Sequence, residues 1–319
     1  MTKTAFAGNA IEDEHGNDIG FTAEGVEAQR QRRSKKRTLV IGDCHGHLDR
    51  LEALLKQEGI LDDCPDSGVI RRSRDVEVVQ LGDLGHYGAD TQARDRAILT
   101  HAPDWLDVLL WGNHDRAVID GRHFFGGYQK PFPETVEAIN ALSKKGQLKL
   151  AHEAHGFLLT HAGLHASYAH NRAPHGDAAE IAAWLNSHDE EDSQDDDFLA
   201  IRDAISMSRG GRSTSGGILW RDASESLYKP VRQVFGHSSK EKVRTYQTGK
   251  TGDSFCVDVG NQFNGRLAAI WLPEETVVEV KLDNDQATRD AEDQMRKRQE
   301  EMRNNPFWAD DGPWRALIV

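Results

Sequence analysis

The chain has 319 residues, of which 38% are hydrophobic, and a formal net charge of −13. This composition excludes a wholly disordered chain, and its apolar runs are far shorter than the roughly 20 residues that span a bilayer. The acidic balance argues against nucleic-acid binding through bulk charge. The three scattered cysteines and the absence of a visible signal segment predict reduced thiols and a cytoplasmic location.

Composition divides the chain into three parts. Residues 1–36 lack periodicity and carry the basic run Arg30–Arg37, so we expect a disordered basic N-terminal arm; such a run is also typical of a nucleic-acid patch or a targeting signal. Residues 37–283 are predicted to form the folded domain. Residues 284–319 are predicted to be a charged helical tail with an aromatic C-terminus.

Short apolar runs predict buried strands, and amphipathic patterns between them predict helices. The predicted strands are Thr38–Ile41, Asp75–Leu81, Trp105–Trp111, Gly156–Thr160, Gln233–Phe235, Ser254–Val259, Leu267–Leu272 and Thr276–Lys281. The predicted helices are Leu48–Leu61, Asp90–Leu99 and Asp283–Arg303. This alternation predicts an α/β domain, whose ligands gather at the carboxyl ends of strands.

A long segment, 164–217, separates the two halves of this pattern. We expect it to be an insertion that lines the substrate site. Within it, the charge run His188–Asp197 is predicted to be an exposed loop tip. The glycine-rich stretch that follows contains Arg209 and Arg212 and allows close backbone approach.

Residues of the metal-ligand type follow the predicted strands in order. They are Asp43 and His45, then Asp83, then Asn113 with His114, then His161, and finally His237. Asp-x-His brings two ligands to one ion, and a carboxylate on the next strand can bridge to a second ion. Oxygen and nitrogen donors of this kind suit Mn, Fe, Zn, Co or Ni. Two such ions about 3.5–4 Å apart clamp a phosphoryl group, so the pattern predicts a binuclear phosphate-processing centre.

The ordered blocks resemble the signature of the calcineurin-like metallophosphoesterases. The blocks are Gly42-Asp43-Cys44-His45-Gly46, Gly82-Asp83, Gly112-Asn113-His114-Asp115, His161-Ala162-Gly163 and Gly236-His237-Ser238. The resemblance covers roughly Arg37 to Leu282 and implies a four-layer αββα sandwich of mixed sheets with flanking helices. It also implies a role for each ligand: Asp43 and His45 at the first metal, Asp83 as the bridge, and Asn113, His161 and His237 at the second metal. By the same resemblance, His114 positions the phosphate and protonates the leaving group.

The last block indicates a branch of that family. Ser239 stands where the nuclease, cyclic-nucleotide and purple-phosphatase branches have a second metal-binding histidine, so the chain resembles the phosphoprotein-phosphatase branch. That branch includes bacterial and phage phosphatases and the diadenosine tetraphosphatases. It carries an arginine that grips substrate phosphate; Arg221 is the first candidate, and Arg209 and Arg212 are the second.

One block departs from that branch. His86 and Tyr87 stand where the branch has an aspartate that orients the acid histidine and an arginine that grips phosphate. The departure argues against a true Ser/Thr protein phosphatase. His86 is interpreted in three ways: it orients His114, it contacts phosphate when protonated, or it faces solvent.

The resemblance predicts hydrolysis of phosphate monoesters, on a phosphoprotein Ser/Thr or on a small phosphorylated molecule, by a hydroxide that bridges two divalent ions. Manganese is the favoured metal. The first alternative is a dinucleoside polyphosphate hydrolase. The second is a phosphodiesterase or nuclease, which the missing last histidine disfavours and the basic arm weakly favours. The third is a catalytically silent metal-binding or interaction module, which the complete ligand set disfavours. No membrane partner is expected, and the oligomeric state stays open.

Overall fold

Two mixed β-sheets with helices against them make up the part of the chain that the computed structural model describes. The described residues are 36–64, 68–71, 75–87, 91–120, 133–167, 176–190, 195–248 and 251–282. The predicted N-terminal arm up to residue 35, and the predicted tail with its helix Asp283–Arg303, lie outside them. Among the described helices, none is both long and apolar enough to cross a membrane.

The strands and helices are short. The strands are β1 (Thr38–Ile41), β2 (Leu61–Cys64), β3 (Gly68–Arg71), β4 (Glu77–Gln80), β5 (Val108–Leu110), β6 (Leu148–Lys149), β7 (Ala151–Ala154), β8 (Phe157–Thr160), β9 (Arg232–Phe235), β10 (Arg244–Gln247), β11 (Asp253–Cys256), β12 (Arg266–Leu272) and β13 (Thr276–Lys281). The helices are α1 (Leu48–Gln57), α2 (Gln92–Trp105), α3 (Asn113–Asp120), α4 (Pro133–Lys144), α5 (Ala178–Glu190), α6 (Asp196–Asp203) and α7 (Asn261–Asn264), with a 3₁₀ turn at Met207–Arg209.

The strand order places parallel strands at the centre of both sheets. The first sheet has the order β13-β12-β1-β4-β5-β6, and the second has the order β10-β11-β9-β8-β7. In the first sheet, β1, β4, β5 and β6 run parallel. In the second, β8, β9 and β11 run parallel. A separate hairpin pairs β2 with β3.

Side chains that alternate along each strand divide between two packing layers. Val40 of β1 packs with Leu159 and Val234 in a cluster shared by the two sheets. Its neighbour Leu39 packs instead with Leu51 of helix α1. Full burial of one such side chain contributes about 1.5–3 kcal/mol, so this cluster holds the sheets face to face.

The second sheet has a helix on its other face. Leu158 of β8 belongs to the same packed cluster as Ile181 and Leu185 of α5. Helices therefore flank a pair of packed sheets, and the predicted α/β sandwich of mixed sheets is confirmed.

Several predicted elements have boundaries that differ from those observed. Helix α1 stops at Gln57, and Leu61 already belongs to the β2–β3 hairpin. Trp105 was predicted to begin a strand, but it completes helix α2, because Ile98, Ala102 and Trp105 have helical spacing and are all buried.

The charge run His188–Asp197 is more ordered than the predicted loop tip. Helix α5 continues to Glu190, and the Asp195 carboxylate caps helix α6 by accepting a hydrogen bond from the Asp197 amide. Acidic residues are favoured at a helix N-terminus, so the same charges that suggested a solvated loop stabilise the start of α6. Residues 191–194 lie outside the described part.

Candidate metal centre

The carboxyl ends of adjacent parallel strands bring the predicted ligands together. Asp43 and His45 follow β1, Asp83 follows β4, and Asn113 follows β5; His161 follows β8, and His237 follows β9. The two sheets meet here directly, because the Asp43 carboxylate accepts a hydrogen bond of 3.0 Å from the His237 amide. All six predicted metal ligands therefore lie in one region of the sandwich.

Two groups of potential ligands share the Asp83 carboxylate. The first is Asp43, His45 and Asp83, and the second is Asp83, His161 and His237; within each group the ligand atoms lie within 4.8 Å of one another. The His45 Nε2 atom is 3.9 Å from Asp43 Oδ2 and 4.0 Å from Asp83 Oδ2. Bonds of about 2.0–2.2 Å from one ion to two ligands leave those ligands about 3–4 Å apart, which is the spacing here.

His161 of the second group and the neighbouring Asn113 provide a pair of atoms that can bind a cation. His161 Nδ1 lies 2.9 Å from the Leu81 carbonyl oxygen, and His161 Nε2 lies 2.9 Å from Asn113 Oδ1. Burial lowers the pKa of His161 to about 3, so the ring is neutral at pH 7 and has one N–H. If that N–H is on Nδ1, the lone pair of His161 Nε2 faces a lone pair of Asn113 Oδ1. A cation bound to both atoms satisfies both lone pairs.

His237 supplies a further sign of a metal site. Its Nε2 atom is buried and has no hydrogen-bond partner among the described residues. Its ring lies edge-on to His161, with 5.0 Å between the ring centroids. A buried imidazole nitrogen without a donor is costly unless a ligand occupies its lone pair, so the residues present fit a metal ion.

Glycines allow the bridging carboxylate and its neighbours to approach the backbone closely. A Cβ atom at Gly112 would lie 2.0 Å from Asp83 Oδ1, and one at Gly236 would lie 2.1 Å from Asp43 Oδ1. His45, Asp83 and His237 all adopt positive φ angles, between 48° and 67°. Left-handed backbone at non-glycine residues costs about 1–3 kcal/mol each and is typical of functional sites.

The protonation tendencies of the cluster follow from burial and like charge. Burial, followed by the charges of Asp258 and Asp83, raises the pKa of Asp43. Burial, followed by the charge of Asp115, raises the pKa of Asp83. For His237, burial and then the positive charge of Arg209 lower the pKa. Bound cations would favour the charged carboxylates and require the neutral imidazoles.

His114 and His86 stand beside the bridging residue. His114 Nε2 is 3.8 Å from Asp83 Oδ2, and the His114 amide donates to Asp83 Oδ1 at 2.9 Å. The rings of His86 and His114 stack with 5.1 Å between centroids. His86 is partly exposed and, with His45 and His114, forms a third group of closely spaced potential ligands.

The three candidate arginines occupy different environments. Arg209 forms a 2.9 Å ion pair with Asp222 and donates to the Ser238 hydroxyl at 2.6 Å, directly beside His237. Arg212 is exposed. Arg221 is fully buried, and its guanidinium donates to the carbonyls of Ala162, Asp222 and Glu225.

Burial also lowers the pKa of Arg221, to about 10. Its contacts hold the backbone next to His161. The charges of Arg209 and Arg221 both act on His237, and that of Arg209 acts on Asp83 and His161 as well. Arg209 also donates to the Ser238 hydroxyl and to the His237 carbonyl oxygen, which places it beside a predicted metal ligand.

The structure adds three buried aspartates that sequence reasoning did not select. Asp258 accepts hydrogen bonds from Ser239 and Gly260, and its charge acts on Asp43. It lies just after β11, which ends at Cys256, whereas the predicted strand Ser254–Val259 placed it inside a strand. Asp115 belongs to the block Gly112-Asn113-His114-Asp115, to which the sequence assigned no role at that position, and Asp95 lies on a helix with no sequence signal.

Residues 36–241 match the sequence profile of the family described as calcineurin-like phosphoesterase. A solved structure described as a putative diadenosine tetraphosphatase is 19% identical, with a TM-score of 0.45, over 79% of this chain and 96% of that one.

Two further solved structures are similar. A Saccharomyces cerevisiae protein serine/threonine phosphatase is 12% identical, with a TM-score of 0.45, over 79% of this chain and 82% of that one. A metallophosphoesterase from Sphaerobacter thermophilus is 16% identical, with a TM-score of 0.36, over 82% and 94%. No curated protein matches the chain.

Proposed function

Because this chain belongs to the calcineurin-like phosphoesterase family, we propose that it is a metal-dependent phosphatase that hydrolyses phosphate monoesters. Its substrate is a phosphorylated molecule, either a phosphoprotein Ser/Thr or a small phosphorylated compound. One observation carries the proposal: a single buried carboxylate, Asp83, belongs to two separate groups of metal-ligand residues. The cytoplasm remains the predicted location.

The proposed ligands divide between two divalent ions. Asp43, His45 and Asp83 would hold the first ion, and Asp83, Asn113, His161 and His237 would hold the second. Mixed carboxylate, amide and imidazole donors suit Mn, Fe, Zn, Co or Ni, and of these we propose manganese. When bound, the two ions lower the pKa of water and neutralise charge on the phosphate.

We propose that His114 exchanges a proton with the leaving oxygen. Its Nδ1 atom lies 3.2 Å from the His86 carbonyl oxygen, so the Nδ1 proton is held there. Since Nδ1 keeps its proton, the doubly protonated ring is the acid: it gives the Nε2 proton, on the side of Asp83, to the leaving oxygen and becomes neutral with its remaining proton on Nδ1. A positioned acid of this kind contributes about 10²–10⁴-fold to the rate.

We assign the phosphate contact to Arg209, and support of the His161 backbone to Arg221. A monoester dianion needs positive charge beyond the ions, and a guanidinium offers two donors in one plane. Arg209 belongs to the segment 164–217, which in this proposal contributes to the substrate wall as the sequence predicts. Arg212, which is exposed, lies further along the same segment.

The proposal is tested by comparing phenyl phosphate with the matching diester, diphenyl phosphate, using protein stripped of metal and reloaded with Mn²⁺. Faster monoester hydrolysis that requires metal and is abolished in Asp83→Asn supports the phosphatase. Phosphopeptides and diadenosine tetraphosphate then separate the protein, small-molecule and dinucleoside substrates. Preference for the diester would refute the monoester assignment and favour a phosphodiesterase or nuclease.

A further inference from the structure

A tight loop after β4 begins at the proposed bridging residue, Asp83, and contains His86, which contacts the proposed acid, His114. It runs from Asp83 to Tyr87, and both of these end residues have positive φ angles, of 54° and 58°. Two buried carboxylates hold the loop, and each accepts hydrogen bonds from the backbone amides of a different half of it. The loop therefore has two supported parts. One contains the metal ligand Asp83, and the other contains His86, which lies beside His114.

The first half is held by Asp115. Its carboxylate accepts hydrogen bonds from the amides of Asp83 and Leu84, at 2.7 and 3.2 Å, and from the Tyr87 hydroxyl at 2.7 Å. It also accepts from the Gly112 amide at 3.0 Å. These contacts fix the backbone of the bridging residue.

The second half is held by Asp95, which projects from helix α2. Its two carboxylate oxygens accept hydrogen bonds from the amides of His86 and Tyr87, both at 2.9 Å. The Thr91 hydroxyl donates to the same carboxylate at 2.5 Å. Asp95 is 2% exposed, so these donors have no ready replacement in water.

The peptide unit at His86 connects Asp95 to the proposed acid. Its amide is fixed by Asp95, and its carbonyl oxygen lies 3.2 Å from His114 Nδ1. A hydrogen bond at one imidazole nitrogen sets the tautomer and orientation of the ring, and thus what the other nitrogen can do. The main-chain carbonyl of His86 therefore performs the orienting task, and its side chain is not required for that.

We propose that Asp95 is a positioning residue for proton transfer: it holds the His86 carbonyl so that His114 presents Nε2 to the leaving oxygen. This inference rests on the proposed phosphatase function. Asp95→Asn preserves the shape of the side chain but places an NH₂ group against one of the two loop amides. The His86 carbonyl then loses its fixed position, while Asp115 still holds Asp83.

The test uses leaving groups that differ in their need for an acid. Phenyl phosphate needs protonation of its leaving oxygen, whereas 2,4-dinitrophenyl phosphate does not. For Mn²⁺-loaded Asp95→Asn we expect kcat for phenyl phosphate to fall on the order of tenfold or more, with kcat for the dinitrophenyl ester within about threefold of wild type. KM and the bound metal per chain, measured by elemental analysis, should stay unchanged.

Two variants calibrate the result. His114→Ala should show the same selective loss at larger size. Asp107→Asn is the matched control, because Asp107 also accepts from an amide of β4, that of Val78 at 2.8 Å, but at the far end of the strand. It should affect both esters equally and weakly. If Asp95→Asn fails to fold, Thr91→Val removes only the hydroxyl donor to Asp95 and should show a smaller loss with the same selectivity.

An equal fall for both esters in Asp95→Asn, or no fall for either, would overturn the positioning role. Loss of bound metal in this variant would also overturn it, because the carboxylate would then support the metal ligands. Inactivity of the wild-type protein on both esters is a different result: it would overturn the proposed function, and this inference with it.

Discussion

Replacing Arg209 tests which arginine serves the phosphate. The guanidinium of Arg209 sits between Asp222 and the Ser238 hydroxyl, and its side chain is only 15% exposed. Hydrogen bonds to a charged group contribute about 1.5–3 kcal/mol. Since each 1.36 kcal/mol changes a rate tenfold, Arg209→Ala should lower kcat/KM by about ten- to a hundredfold.

The assay is steady-state hydrolysis of 4-nitrophenyl phosphate at saturating Mn²⁺. Arg212→Ala is the matched control, because Arg212 lies on the same segment but is exposed. Exposed substitutions usually change free energies by less than about 0.5 kcal/mol, so kcat/KM should stay within about twofold. A circular-dichroism melt for each variant separates lost substrate contact from lost stability.

Arg221→Lys tests whether Arg221 has a structural role and does not contact the phosphate. Lysine cannot reproduce the contacts of the buried guanidinium with the carbonyls of Ala162, Asp222 and Glu225, so Tm should fall. The reasoning would be refuted if Arg209→Ala behaved like Arg212→Ala while Arg221→Lys raised KM without lowering Tm. That outcome would indicate that Arg221, and not Arg209, contacts the phosphate.

Three other substitutions or treatments test the metal centre. Asp83→Asn should abolish turnover and reduce bound metal to one ion per chain or fewer, as measured by elemental analysis; full activity would contradict the bridging role. Gly112→Ala should also lose metal, because its Cβ would lie 2.0 Å from Asp83 Oδ1; unchanged metal content would show that the carboxylate can move aside. Chelation should lower Tm at pH 7.5, because it removes the cations that would offset the charge of Asp43 and Asp83, whose pKa values burial and neighbouring carboxylates raise. An unchanged Tm after complete removal of metal would contradict this explanation.

Much of the site was predictable because each ligand lies just after a buried strand. Apolar runs identify such strands locally, and carboxyl ends of parallel strands share an edge. The positions of Asp43, Asp83 and Asn113 could therefore be predicted as neighbours, because β1, β4 and β5 are parallel strands of one sheet. Element boundaries are predicted less accurately where the helical and the strand patterns of apolar residues overlap. In sequence, Trp105 fits the end of a helical apolar face and the start of a strand equally well. Packing in the core selects the helix.

The roles of the arginines could not be predicted from sequence. Arg209 and Arg221 both lie in a stretch rich in glycine, and the resemblance favoured Arg221. The structure buries Arg221 against main-chain carbonyls and places Arg209 beside His237. Burial and pairing depend on residues distant in the chain, such as Ser238 and Ala162, which a local pattern does not reveal.

The sequence by itself determined the fold class, the order of the strands that carry ligands and the chemical type of each ligand, because these follow from local periodicity and residue identity. Only the tertiary structure decided which carboxylates hold the loop beside His114. Asp95 reaches that loop from helix α2, and Asp115 reaches it from α3. Such contacts arise when separate elements pack together, and their hydrogen bonds leave no periodic trace in the chain.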